Sequence, residues 1–371
     1  MTIKIMGIKS RTIKQIGFSL IELLITLVIS VTVISGLFSI YLNTRVSQEL
    51  TQANAQIQET GRFALEYLTR DIRMIGYNGC SSKNSPIISI KANNLPLNYD
   101  PFEHQLIGFD IKANWYVGTL FENASTLHDR PKLGTSALLI SRMANLGAPL
   151  IQSQINVADD LIIETQSATQ LNLKQDDILS ITDCINTDIF SLSQSPIINA
   201  DITSLPHSSD TNTLSALSKL YQQNAYVAKY QSHFYFVGDT QRTNQTGEKI
   251  YALYQVDIDY SSSPTSYVVN EIIEGVENLQ LLYGEVLQTN NMRYVKSNDV
   301  LDMSNVSSVQ LGLLISSLHN VRKTNDTKTY YLAQEAIGGI DEADKNSHAV
   351  DKRLRHAFNT TINIRNRNEE F

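Results

Sequence analysis

Gly17-Phe18-Ser19-Leu20-Ile21-Glu22-Leu23-Leu24 opens an apolar run that reaches Leu42 and contains a single charged side chain, Glu22. As a helix, Phe18 to Leu42 would span ~37 Å, against a bilayer core of ~30 Å. The segment ahead of it carries Lys4, Lys9, Arg11 and Lys14 and no acid. The positive-inside rule therefore puts residue 1 in the cytoplasm and the bulk of the chain across the membrane. A secretory signal peptide fits less well, because its apolar core runs ~7–15 residues and ends at a small-residue cleavage site. Here the run is longer, and no Ala-x-Ala follows Leu42.

The rest of the chain bounds the answer. It has 371 residues, a charged fraction of 18 %, 17 Gly, 8 Pro and 2 Cys, which excludes a disordered chain, a collagen and a small disulfide scaffold. Its one long apolar run argues against a polytopic membrane protein. Its net charge is −7, falling to −11 without the four leader cations, so it makes a poor nucleic-acid-coating surface.

Helical periodicity continues past Leu42. Apolar or small residues recur at Val46, Leu50, Ala53, Ile57, Gly61, Ala64, Leu68, Ile72 and Ile75, at steps of three and four. Arg62–Glu66 and Glu66–Arg70 are spaced as i,i+4 pairs on the opposite side, and Gly76 and Gly79 supply the stop. One helix over 18–75 is expected, its second half amphipathic and in need of a surface.

From Ile87 onward the pattern is β. Strands are expected at 137–143, 161–165, 178–183, 226–237, 250–258, 267–273, 279–287, 292–295, 306–315, 329–332 and 360–364, with Asn290-Asn291 as a hairpin turn. Polar stretches at 191–213, 240–247 and 320–328 read as loops, the first as a flexible insertion. The fold class is α+β: a long N-terminal helix packed on a mainly antiparallel sheet. The expected organisation is a leader, 1–17; the helix, 18–75, divided into 18–42 in the membrane and 43–75 amphipathic; and an exported β-rich domain, 76–371.

The run from Gly17 to Leu24 closely resembles the type III signal of type IV pilins and pseudopilins. That resemblance implies cleavage after Gly17 by a prepilin peptidase, N-methylation of the new terminal residue Phe18, and an assembly role for Glu22, the fifth residue of the mature chain. Gly17 suits an extended, tight cleavage site because it lacks a side chain. In a filament, Glu22 would pair with a neighbour's terminal amine, where an unpaired carboxylate in low dielectric would be penalised. Many major pilins carry a proline midway along this segment. Here there is none, with Ser39 near that place and Gly36 the one weak point, so no kink is expected.

Arg62 to Cys80 resembles the post-membrane segment of PilW-type minor pilins, which are related to the J-type pseudopilins of type II secretion. Gly275 to Gly284 and Arg353 to Arg367 resemble that family's late and closing strands. The family fold and function are thus expected: a subunit that helps initiate type IV pilus assembly and sits at the tip with other minor pilins. Expected partners are the prepilin peptidase, the other minor pilins, the major pilin, a large tip adhesin, and inner-membrane lipid before assembly. A J-type pseudopilin, or a pilin-anchored adhesin or DNA-uptake binding protein, stands as the alternative. Expected localisation is the inner membrane, single-pass, and then the pilus tip.

Cys80 and Cys184 both follow the membrane segment, so in an oxidising compartment they are expected to form a disulfide. No enzyme activity, cofactor or metal is expected. The chain has no Cys-x-x-Cys, His-Glu-x-x-His, Gly-x-Ser-x-Gly or Walker-type loop, and the closest histidines, His348 and His356, are eight apart. His207-Ser208-Ser209-Asp210 reads as a polar loop and Gly338 to Asp344 as a solvated acidic turn rather than a Ca²⁺ loop. Lys352, Arg353, Arg355, Arg365 and Arg367 read as the wet face of the last strand.

Overall fold

The long helix, α1, runs over Leu20–Arg73 in a computed structural model of the chain. The structure describes residues 17, 19–79, 87–93, 105–117, 119–261, 265–289, 291–339 and 346–366. It divides into two units, residues 1–52 and residues 53–371. Within the first, the helix turns apolar side chains outward all round, from Leu20 to Leu42. Its few hydroxyls bond back to the preceding turn: Thr26 to Leu23 O, Ser30 to Thr26 O and Thr32 to Ile29 O. These three hydroxyls are thereby met within the helix itself.

In the second unit the helix is one-sided. Ala53, Ile57, Gly61, Ala64, Leu68 and Ile72 are buried, as the three-four spacing requires. Arg70 and Arg73 lie in the last turn, where cations oppose the helix dipole. Gly76, at φ +73°, takes the left-handed conformation that turns the chain away.

Among the described residues eighteen strands follow: β1 (Ile87–Ile90), β2 (Leu106–Asp110), β3 (Ser136–Pro149), β4 (Leu161–Glu164), β5 (Ile178–Thr182), β6 (Asn186–Ser191), β7 (Ile197–Asn199), β8 (Ile202–Leu205), β9 (Tyr226–Thr243), β10 (Lys249–Asp259), β11 (Ser266–Glu274), β12 (Val276–Val286), β13 (Met292–Val295), β14 (Val306–Asn320), β15 (Tyr330–Leu332), β16 (Glu335–Gly339), β17 (Ser347–His348) and β18 (Arg353–Asn363). A short helix, α2, spans Thr165–Leu171.

The largest sheet is built around β9. Strand β3 pairs along one of its edges, and β5 and then β10 pair along the other. The order β1-β6-β5-β9-β10-β11 ends on β11, with β2 added beyond β3. A second sheet has the order β13-β12-β14-β18, antiparallel throughout. The stripe of α1 packs against both sheets. Its neighbours in that core include Leu279, Leu281 and Tyr283 of β12, Leu311 and Leu313 of β14, Ile362 of β18, and Tyr235 of β9. An aromatic core of Phe109, Phe121, Phe234 and Phe236 fills a separate layer under the segment between β2 and β3.

The α+β class is thus observed, and the expected strands appear with shifted ends. Three readings are corrected. The stretch 191–213 is not a single flexible loop: β7 and β8 form a hairpin, and β8 pairs with β4. His207 is buried, its ring nitrogens 2.9 Å from Ser215 O and Asp159 O, which pins the segment on two sides. Residues 240–243 belong to β9. Finally β18 starts at Arg353, seven residues before the apolar pattern shows, because two buried arginines occupy its inward positions.

Candidate functional site

The first candidate is the start of α1. Gly17 is exposed and lies outside regular structure, Phe18 lies outside the described residues, and the first helical bond runs from Leu23 N to Ser19 O at 3.1 Å. Glu22 sits in the first turn and is exposed. Here the unpaired N–H groups of a helix start make a carboxylate favourable, while no other side chain described from Ser19 to Leu42 is charged. The arrangement presents one anion on an otherwise greasy rod. An incoming cation, such as a free amine, would find no other charged partner on that stretch.

At the other end of α1 the structure brings together residues that sequence reasoning missed. Asp71 is buried and accepts from Arg142 of β3, Nη2 at 2.6 Å and Nε at 2.9 Å, and from Tyr235 OH at 2.6 Å. Arg142 takes Oδ1, and His233 Nδ1 stands 3.0 Å from Oδ2, the oxygen that also accepts from Tyr235. Burial alone would raise the Asp71 carboxyl pKa, but His233, Arg142 and Tyr235 together hold it well below the usual carboxylate range. One helix turn earlier, Tyr67 OH donates to Gln255 Oε1 at 2.6 Å, and Tyr235 shares that acceptor at 3.1 Å. These bonds fasten the last two turns of α1 to β3, β9 and β10. The sequence signal is slight: Asp71 is three residues past Leu68 and so falls within the buried stripe.

A second buried ionic group centres on Arg355. Its guanidinium meets Glu277 at 2.6 Å and Asp351 at 2.7 Å, with Asp326 at 3.5 Å. Arg353 pairs with Glu277 at 2.9 Å and Asp351 at 2.6 Å, and Arg322 closes on Asp326 at 2.5 Å. The Glu277 carboxyl is lowered to about 2: burial opposes this, and the Arg355 and Arg353 charges outweigh it. This overturns the reading of the basic cluster. Arg353 and Arg355 are buried in a neutralised network; Lys352 and Arg365 are exposed, and Arg367 lies outside the described residues. The network ties β12 and β18 to the segments around 322–326 and 351.

The other residues singled out by the sequence do not converge on a third site. Cys80 lies outside the described residues; Cys184 sits in the β5–β6 turn at φ +72°. Gly338 and Gly339 belong to β16, and 340–344 lie outside the described residues. Leu287 N bonds Asn291 O at 2.9 Å, closing the β12–β13 hairpin at the expected place. Among the described residues, no group of three or more His, Cys, Asp or Glu side chains is arranged to hold a metal ion.

Residues 234–366 match the family PilW, described as type IV pilus-assembly protein W. Over that stretch, just over a third of the chain, it is similar to a PilW-type pilus-assembly protein. No curated protein and no solved structure matches it. The PilW match runs from within β9 past the end of β18, so it takes in the whole Arg355 network. The anchor and Asp71 lie ahead of it. The single apolar N-terminal helix is long enough to serve as the membrane anchor of such a protein.

Proposed function

We propose that this PilW-type chain is a minor pilin. It is cut after Gly17, methylated on Phe18, and joined to the other minor pilins at the tip of a type IV pilus, where it helps start assembly. The observation that carries this reading is the lone Glu22 in the first turn of an exposed apolar helix, five residues past Gly17, on a chain whose closing part matches PilW. Glu22 would pair with the terminal amine of an adjacent subunit. The prepilin peptidase acts on the chain, the major pilin and a large tip adhesin are further partners, and the chain itself performs no chemistry. Before assembly it resides in the inner membrane with its N-terminus in the cytoplasm.

Two substitutions test the separate steps. Gly17→Val should leave the precursor uncut, seen as a band of unprocessed length on immunoblots. Glu22→Ala should be cut and inserted normally yet fall at least tenfold in sheared pili. Normal cutting of Gly17→Val, or normal incorporation of Glu22→Ala, would contradict the assignment.

The disulfide between Cys80 and Cys184 belongs to the same reading. A Cβ at Gly79 would lie 2.7 Å from Thr182 Cγ2, so residue 79 is beside the strand that leads into Cys184. Met143 N also donates to Tyr77 O at 2.8 Å, holding this turn against β3. Closing a loop of roughly 100 residues contributes up to ~4.7 kcal/mol in the chain-entropy model. Alkylation of the native exported protein should label no thiol without reductant and two with it. Two labelled thiols at the outset would refute the bond.

A further inference from the structure

His207 is 3 % exposed, and each of its ring nitrogens meets a backbone carbonyl. Nδ1 stands 2.9 Å from Ser215 O, and Nε2 stands 2.9 Å from Asp159 O. A carbonyl oxygen only accepts. A neutral imidazole has one N–H to give and a lone pair on its other nitrogen. In either neutral tautomer, one of the two contacts would set that lone pair against a carbonyl in a buried site, where an unmet polar group is costly. Only the imidazolium, with a proton on both nitrogens, serves both partners at once.

The surroundings favour that charge. The ring packs against Phe190 of β6, with centroids 5.4 Å apart. Asp188, two residues along β6 and on the same face, is buried. Its Oδ2 accepts from Ser218 N at 2.9 Å, Ser218 Oγ at 2.7 Å and Tyr221 OH at 2.9 Å. Its Oδ1 has no hydrogen-bond partner among the described residues. Asp159, in the connection between β3 and β4, turns its carboxylate onto Asn156 N at 2.7 Å and Ile155 N at 3.2 Å. The Asn156 amide first, and then Ile155 and the His207 ring, hold the Asp159 carboxyl below its ordinary range. On the segment of His207 itself, Asp210 accepts from Ser208 Oγ at 2.9 Å. Leu161 of β4 and Leu205 of β8, in the same layer, bring no charge. Burial pushes the Tyr221 phenol up, so it stays neutral. The ionisable groups around the ring are thus three carboxyls and one neutral phenol, and carboxylates stabilise a charged imidazole.

His207 stands at the start of residues 206–225, which run without helix or strand from β8 to β9. Leu217 and Tyr221 of this stretch are buried with Leu161, Leu179, Ile181 and Phe190. Leu217 N donates to Val157 O at 2.9 Å, and Tyr221 N to Gln154 Oε1 at 3.0 Å. Through Ser215 O and Asp159 O, the His207 ring joins the beginning of the stretch to its own middle and to the β3–β4 connection.

We propose that His207 is doubly protonated in the folded domain and that its charge is the catch of a pH-sensitive strap, residues 206–221. The strap is locked while the ring is charged and loosens when one ring proton passes to solvent. A free imidazole gives up that proton near ~6.5, whereas the folded strap binds it. A proton held by the folded form adds stability that is complete in mild acid and is lost as pH rises. The sign is opposite to that of the buried carboxylates Asp71 and Glu277, which are held low.

The test uses the full chain in detergent with nitrogen-labelled histidine. The His207 ring is identified in NMR spectra by its proximity to Phe190. At about pH 7 both of its nitrogens should carry protons. Hydrogen exchange is then followed from about pH 6 to about pH 9. Amides of 206–221 should lose protection at least tenfold beyond the rise that free amides show, while those of β12 and β14 hold. His207→Gln, a neutral side chain that donates from one end only, should show the loosened level throughout. A His207 nitrogen without a proton at neutral pH, flat protection across the range, or a pH response that survives in His207→Gln would overturn the proposal. The two measurements on the parent decide it even where that variant does not fold.

Discussion

Arg355→Ala is expected to destabilise the domain by about 3–5 kcal/mol, a large part of the ~5–15 kcal/mol that holds a typical domain folded. Removing the guanidinium strips Glu277, Asp351 and Asp326 of a shared partner in a buried site. The loss has a second signature in its pH dependence. In the parent, the Glu277 carboxyl titrates at about 2 when folded, against 4.5 for a free glutamate. A depressed folded value adds stability that is present above the unfolded value and drains away as pH falls through the folded one. The gap between parent and variant should therefore be widest near neutrality and narrow as pH drops from about 4.5 toward 2. Denaturant unfolding of the full chain in detergent at a series of pH values would measure both. A gap that stays constant with pH would mean that Arg355 acts through packing and not through its charge.

Asp71→Ala should cost a similar ~3–5 kcal/mol, since it leaves the largely covered Arg142 without its carboxylate and frees the buried Tyr235. Its effect should be local before it is global. Amides from about residue 60 to 75 should lose hydrogen-exchange protection by at least tenfold while those of β12 and β14 hold, because the substitution removes hydrogen bonds that belong to the helix end. Equal loss everywhere would show that Asp71 is no clamp but one more contributor to a single cooperative unit. The Asp71 carboxyl is also held low, so acid should loosen the same helix turns by the sign already given.

The contrast between these two groups and the anchor explains how much of the molecule is legible in its sequence. Gly17, Glu22 and the three-four stripe are local patterns, and each needs only its near neighbours in the chain to be understood. The alternating runs of β9, β10, β12 and β14 are local in the same sense. Asp71 is not: Arg142 is 71 residues away and Tyr235 164 away, so nothing beside Asp71 announces its use. The misreading at β18 is of a different kind. Arg353 and Arg355 do alternate, which places them on one face of a strand, but equating charge with exposure puts that face in water. Their partner Glu277 is 78 residues from Arg355, and only the pairing of β12 and β18 through β14 brings the two together. The hairpin of β7 and β8 escapes for want of length, because three- and four-residue strands in polar sequence carry no period to detect.

The most direct test of the account is the amino end of the chain as it occurs on the cell surface. Mass spectrometry of the protein in sheared pili should find a terminal peptide that begins at methylated Phe18. A peptide retaining Met1, or a terminus anywhere other than Phe18, would contradict the claim that α1 is the trimmed assembly helix of a pilus subunit.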